Sequence, residues 1–111
     1  MIIKTVQKTL MPTLQQFKYL VAVADTLHFR RAAERSHVTQ PTLSGQLREL
    51  EHKLGVQLVE RSRSRVIMTP VGVEIAARAR AILRDVSEVV EIAKRGQNPW
   101  GGTSRAGATT T

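Results

Sequence analysis

The sequence predicts a mainly α-helical fold that contains a helix-turn-helix pair and one small β-hairpin. Three observations support this prediction. Four segments are typical of helices, the four-residue turn "SHVT" joins the second to the third, and two short β-prone runs flank "RSRS". The chain of 111 residues is long enough for one small core, and its lack of cysteine excludes disulfides and thiolate sites.

The first helix is predicted to begin after Thr13, because Thr13 and Gln16 form a T-x-x-Q capping box. Its apolar stripe is expected at Leu14, Phe17, Val21 and Ala24. The second helix is short and spans about residues 29–35. Its central alanines, Ala32 and Ala33, are small enough for another helix to cross closely.

The third helix is predicted from about Gln40 to Leu54, and Gly55 ends it. Its buried stripe is expected at Leu43, Leu47, Leu50 and Leu54. After it, "QLVE" and "RVIM" predict a hairpin with "RSRS" at its tip. Thr69 and Pro70 then provide a cap and a first-turn proline for a fourth helix that extends to about residue 95.

These elements divide the chain into four parts. Residues 1–12 are expected to form a loose extension, and residues 13–69 form the helix-turn-helix domain with its hairpin. Residues 70–95 form the long helix. Residues 96–111 are rich in glycine and threonine and are expected to be a disordered tail or a linker.

The outward face of the third helix is polar, small and free of acids in its first turns. Short or hydrogen-bonding side chains of this kind suit base edges in a major groove. A helix N-terminus without acids also suits an anion. The alternative is a packed helix with an ordinary solvated face. The candidate base-reading residues are Gln40, Pro41, Thr42, Ser44, Gly45 and Arg48.

Basic residues supply a second group of candidates. The chain has 17 Lys plus Arg against 9 Asp plus Glu, a formal charge of +8, which favours a polyanionic partner. The alternatives are a solvated basic hairpin and arginine stems that only cover the core edge. The candidates for phosphate or minor-groove contact are Arg30, Arg31, Thr39, Arg61, Arg63 and Arg65.

The fourth helix carries an apolar heptad pattern. Steps of four and three residues are typical of a seam between two helices. The alternative is that this helix packs entirely on its own domain. The predicted dimer seam consists of Ile75, Ala79, Ile82, Leu83, Val86, Val89 and Ala93.

The chain resembles the N-terminal domain of the LysR-type transcriptional regulators, and most of all the peroxide-sensing OxyR branch. The likeness runs from about Leu14 to Arg95. It rests on "F-x-x-AA", "V-T-Q-P-T-L-S", "LE-x-x-LG" and a threonine-proline-x-glycine after the hairpin, in that order and spacing. "HFRRAA" together with "QPTLSGQ" is similar to the OxyR branch.

The resemblance implies a winged helix-turn-helix, a three-helix core with the hairpin as its wing, followed by a linker helix that pairs two subunits. It implies sequence-specific binding of double-stranded DNA and regulation of transcription by a homodimer, or a tetramer at full length, in the bacterial cytoplasm at the nucleoid. The effector domain of full-length members is expected to be absent. A contact with RNA polymerase is compatible with this function, but no residue indicates it.

Other classes of function find little support in the sequence. The three histidines lack metal-ligand spacing, no serine lies in a catalytic motif, and no cofactor is expected, so the chain is not predicted to be an enzyme. No run of 18 apolar residues exists to cross a membrane. Two rival functions are a non-specific nucleic-acid binder and a truncated interaction partner that acts through the fourth helix.

Overall fold

The computed structural model describes residues 11–62 and 65–97. In chain order the elements are α1 (Leu14–Thr26), α2 (Phe29–Arg35), α3 (Gln40–Leu54), β1 (Val59–Ser62), β2 (Arg65–Met68) and α4 (Pro70–Gln97). The expected loose extension falls almost wholly outside the described residues, as does nearly all of the expected tail. The chain divides into two compact units within α4, between Ala81 and Ile82.

Helix α1 begins with the predicted capping box. The Thr13 hydroxyl accepts from the Gln16 N–H at 3.0 Å, and Gln16 Oε1 accepts from the Thr13 N–H at 3.1 Å. The same amide reaches α3, because its Nε2 donates to Gln46 Oε1 at 3.1 Å and its Oε1 accepts from Lys53 Nζ at 3.2 Å. Gln16 is only 2% exposed, so it is a buried polar link between α1 and α3.

The apolar stripe predicted for α1 is only partly right. The buried side of α1 carries Tyr19, Leu20, Ala22 and Val23, while Leu14 is exposed. Phe17 and Ala24 pack at the edge of the core. The predicted stripe starts at the first apolar residue, Leu14. In the structure, the side of α1 that faces the core instead carries Gln16, Leu20 and Val23.

Helices α2 and α3 are joined by the predicted turn. The N–H groups of Ser36 and Val38 donate to the carbonyls of Ala32 and Ala33 at 3.0 Å each, which closes the end of α2. Ala32 and Ala33 are buried, which lets the neighbouring helices approach closely. The buried stripe of α3 is as predicted: Leu43, Leu47 and Leu50 are inaccessible, and Leu54 packs against the same core. Gly55 ends α3 with a φ of 71°, a left-handed conformation that favours glycine.

The hairpin consists of β1 and β2 in antiparallel register, with Val59 opposite Met68 and Ser62 opposite Arg65. The second strand matches "RVIM", but the first begins at Val59 rather than Gln57. Arg61 therefore lies inside β1, opposite Val66, and not at the tip. The hairpin packs on the core through Val59 and Val66, which are both buried.

Helix α4 begins where the T-P-x-G motif places it. The Gly72 N–H donates to the Thr69 hydroxyl at 2.9 Å, which confirms Thr69 as the cap. Thr69 is also tied to the residue before β1, because its N–H donates to the Leu58 carbonyl at 3.0 Å. A Cβ on Gly72 would lie 2.0 Å from that carbonyl oxygen. The glycine is thus required by the close approach of α4 to Leu58.

Helix α4 ends at Gln97, two residues beyond the predicted end. None of the helices described here is long and apolar enough to cross a lipid bilayer. Up to Ala81, α4 belongs to the first unit, where Ala76 and Ala79 are buried. In the same unit Arg80 Nη2 pairs with Asp25 of α1, and Asp25 also pairs with Arg35 of α2 at 3.4 Å.

Candidate nucleic-acid interface

The first turns of α3 present the predicted polar face to solvent. Gln40, Pro41, Thr42, Gly45 and Arg48 are exposed, and Ser44 is half-buried. No acidic residue lies in the first turn of α3. The first turn of α3 therefore carries no carboxylate that would repel an anion at this helix end.

Thr39 organises this end of the helix. Its hydroxyl accepts from the Thr42 N–H at 3.3 Å and donates to the Thr42 hydroxyl at 2.8 Å. The two hydroxyls are exposed and coupled, so a ligand that binds one of them constrains the other. Thr39 is consequently a helix cap as well as a candidate phosphate contact.

Gly45 is exposed in the middle of this surface. A Cβ on Gly45 would find no atom within 4 Å, so the fold does not require a glycine here. A glycine inside a helix costs about 1 kcal/mol relative to alanine. The missing side chain leaves the helix backbone open to a group that approaches from solvent.

The predicted basic contacts divide into two groups. Arg30, Arg31 and Arg65 are exposed. Arg30 lies 3.8 Å from Glu34, one helical turn away, and both side chains are more than two thirds exposed, so this pair is weak. These three guanidinium groups remain accessible to an anion. Arg63 lies outside the described residues.

Arg61 does not belong to the accessible group. Its side chain is 24% exposed, its Nη1 lies 3.4 Å from Glu51 Oε1, and its guanidinium carbon lies 5.4 Å from the centre of the Phe29 ring. The alternating strand geometry turns this side chain towards α2 and α3, since β1 continues through Ser62 and Arg61 precedes the tip. The expectation that Arg61 stands free at the tip is therefore wrong.

Glu51 was not identified as a structural residue from the sequence. Its Oε2 accepts from the N–H groups of Leu58 at 2.7 Å and Val59 at 3.1 Å. The only sequence signal is the "LE-x-x-LG" motif, which places a glutamate four residues before the glycine that ends α3.

The residues of the predicted seam on α4 differ in how far they are buried. Ala79 is buried, so it packs within its own domain and is not free for a partner, while Ile75 is only partly buried against the core. The place of Ala79 in the predicted seam is therefore corrected, and Ile75 stays a predicted seam residue. In the unit that starts at Ile82, the larger exposed apolar residues are Ile82, Val89, Val90 and Ile92. Leu83 and Val86 are half-buried and Ala93 is exposed.

The described residues do not form a metal site: within residues 11–62 and 65–97 no three His, Asp or Glu side chains lie close enough to share an ion. The chemistry that this surface offers is hydrogen bonding and positive charge. Its donors and acceptors lie on one exposed helix end, and exposed arginines are present at the start of α2 and on β2.

The sequence is similar to those of known regulators. The family model described as bacterial regulatory helix-turn-helix protein, lysR family, matches residues 14–73. The HTH-type transcriptional regulator EstR of Acinetobacter baylyi is 45% identical over 97 residues, which covers 87% of this chain and 32% of EstR. The DNA-binding transcriptional dual regulator OxyR of Escherichia coli is 48% identical over 82 residues, 74% of this chain and 27% of OxyR.

Solved structures share the fold. Full-length OxyR C199D from Pseudomonas aeruginosa superimposes with a TM-score of 0.77 and 46% identity, over 79% of this chain and 30% of that one. The DNA-binding domain of BenM, in complex with catB site 1 DNA, has a TM-score of 0.71 and 37% identity, over 75% of this chain and 89% of that one. The likeness to both confirms the predicted winged helix-turn-helix.

This chain spans about a third or less of the length of EstR and OxyR. Within that span, the family model, the sequence likeness and the shared fold agree. The chain belongs to the lysR family of bacterial regulatory helix-turn-helix proteins, and it is an OxyR-like helix-turn-helix domain of that family.

Proposed function

We propose that this chain binds double-stranded DNA in a sequence-specific manner and regulates transcription. The observation that carries the proposal is the exposed, acid-free polar surface at the start of α3, on the helix that follows the helix-turn-helix turn. Two neighbouring structures of 35–37% identity are complexes of family DNA-binding domains with DNA, which supports the same use of this fold.

The proposed docking inserts the N-terminal turns of α3 into the major groove. Gln40 then reads a base edge through its amide, and Arg48, about two helical turns further along α3, reaches a base or a phosphate. Arg30, Arg31 and Thr39 contact phosphates, and Arg65 lies with the hairpin wing against the minor groove. Arg63, which follows Ser62 in the sequence, stays a candidate for the same contacts.

We also propose that the working form is a homodimer. The exposed apolar residues of the second unit support it, since Ile82 and Val89 lie one heptad apart, as residues of a helix–helix seam do. A dimer binds two half-sites of a pseudo-palindromic operator. A tetramer at full length, a contact with RNA polymerase and a place at the bacterial nucleoid are further proposals that follow from family membership.

Base reading and affinity are expected to separate between α3 and the wing. Gln40→Ala should cost about 1–3 kcal/mol at particular base pairs, because it removes a hydrogen-bonding reader. Arg65→Ala should weaken binding to most sequences alike, because it removes a charge and no base reader. Specificity profiles of both variants on a library of duplexes measure the difference. A profile in which Arg65→Ala changes base preference and Gln40→Ala does not would reverse the assignment.

Replacing Gly45 by alanine is expected to raise stability and lower affinity. The free energy of unfolding should rise by about 1 kcal/mol, since alanine is the better helix former and its methyl group meets no atom. Affinity for duplex DNA should fall, because the methyl group separates the helix backbone from the groove. Thermal melts and DNA titrations of the same preparation test the pair of effects. A variant that is stabilised and binds DNA unchanged would exclude a close approach at Gly45.

A further inference from the structure

The two residues Leu58 and Val59, where β1 begins, are held from both sides. On the N–H side, one carboxylate oxygen of Glu51 accepts from both backbone N–H groups, at 2.7 and 3.1 Å. On the carbonyl side, the Leu58 oxygen accepts from the Thr69 N–H at 3.0 Å, where α4 starts. The base of the hairpin is thus the point where α3, the wing and α4 are connected.

The Glu51 carboxylate is well placed to act as a fixed link. Its side chain is 13% exposed, and its second oxygen lies 3.4 Å from Arg61 Nη1. Hydrogen bonds from backbone N–H groups to a carboxylate are roughly twice as strong as those between neutral groups. Because Glu51 lies on α3 and its partners start the wing, it ties the wing to the proposed recognition helix directly.

Arg61 completes the link from the wing side. Its guanidinium lies against the Phe29 ring of α2, and its Nε and Nη2 are buried without a hydrogen-bond partner among the described residues. The nearby anion for this partly buried cation is Glu51. Arg61 therefore depends on Glu51 more than Glu51 depends on Arg61, since the carboxylate keeps two backbone donors without it.

We propose that Glu51 is a positioning residue for DNA binding: it holds the base of the wing in register with α3, so that the wing meets the minor groove while α3 lies in the major groove. This inference rests on the proposed function. It assigns to a largely buried carboxylate a role in affinity, and that role is separate from the contacts made by the exposed arginines.

The test is chemical footprinting of the full chain on a selected duplex. Hydroxyl radicals report minor-groove protection by the wing, and dimethyl sulfate reports protection of guanine N7 in the major groove by α3. Glu51→Met removes both acceptor oxygens at nearly the same side-chain length, so the Leu58 and Val59 N–H groups lose their acceptor and Arg61 loses its anion. At saturating protein it should lose the minor-groove protection and keep the N7 protection, with affinity about tenfold lower.

Three further variants isolate the role of Glu51. Glu74→Met makes the same substitution on an exposed residue of α4 and should keep both protections. Arg61→Leu leaves the carboxylate on its two backbone donors and should also keep both. Glu51→Met with Arg61→Leu removes the stranded cation, so it should melt higher than Glu51→Met alone while the wing protection stays lost.

The outcomes separate the inference from the proposed function. If the unchanged chain protects neither groove, the proposed function fails. If the unchanged chain protects both and Glu51→Met also protects both at saturation, Glu51 does not position the wing. If Glu51→Met and the double variant both lose the two protections together, or both unfold, Glu51 only stabilises the fold and the inference is overturned.

Discussion

Replacing Gly72 by alanine should lower the free energy of unfolding by about 3 kcal/mol, the upper part of the range for overpacked sites. The added Cβ would lie 2.0 Å from the Leu58 oxygen and 2.9 Å from its carbonyl carbon. Both are backbone atoms, so no side-chain rotation relieves the clash. Either the start of α4 or the base of the wing has to move, and the Thr69 bonds that join them are strained with it.

The measurement is a thermal melt followed by circular dichroism. For a domain of this size, about 3 kcal/mol corresponds to a fall in Tm of more than about 10 °C. The matched control is Gly45→Ala, which adds the same methyl group to the same kind of helical position with open space around it. A Gly72→Ala variant that melts within a few degrees of the unchanged chain would show that the start of α4 does not lie in close contact with the Leu58 carbonyl.

Replacing Ile82 and Val86 together by aspartate should split the dimer. Both residues lie in the second unit on the heptad positions of the proposed seam, and Ile82 is exposed in the single chain. Pairing of two helices would bury four carboxylates without partners, which is strongly unfavourable. Analytical ultracentrifugation should therefore show a dimer for the unchanged chain and a monomer for the double variant.

The control adds the same charge away from the seam. Ala77→Asp with Ser87→Asp introduces two carboxylates at exposed positions of α4 that lie outside the heptad pattern. This variant should remain dimeric. An unchanged dimer after the Ile82 and Val86 replacements would place the subunit contact elsewhere, whereas a control that also dissociates would point to net charge rather than to the seam.

Local signals in the sequence were sufficient for most of the fold. The Thr13 capping box, Gly55 and the T-P-x-G motif each act through neighbours within a few residues, so their positions fix helix ends without tertiary information. The start of β1 was placed two residues early. A carboxylate from α3 takes the N–H groups of Leu58 and Val59, and no local pattern reveals such a distant partner.

The exposed residues of the candidate site on α3 could be predicted, because the position of a residue around the helix decides whether its side chain faces the core or solvent. Gln40, Thr42 and Arg48 lie on the outward face because the leucine stripe of α3 is buried. Arg61 was misplaced because the tip of the hairpin was assumed to start before Ser62. A heptad pattern on α4 does not show which of its residues pack within their own domain and which face a partner. Ala79 is one that is buried in its own domain.

The central claim is specific recognition of duplex DNA through α3. The most direct measurement is selection of binding sites from random duplexes, followed by titration of the selected duplex and a scrambled one at the same salt concentration. We expect the selected duplex to bind about 10³-fold or more tightly than the scrambled one. Equal affinity for the two duplexes, with a steep loss of both as salt rises, would show a non-specific polyanion binder and contradict the claim.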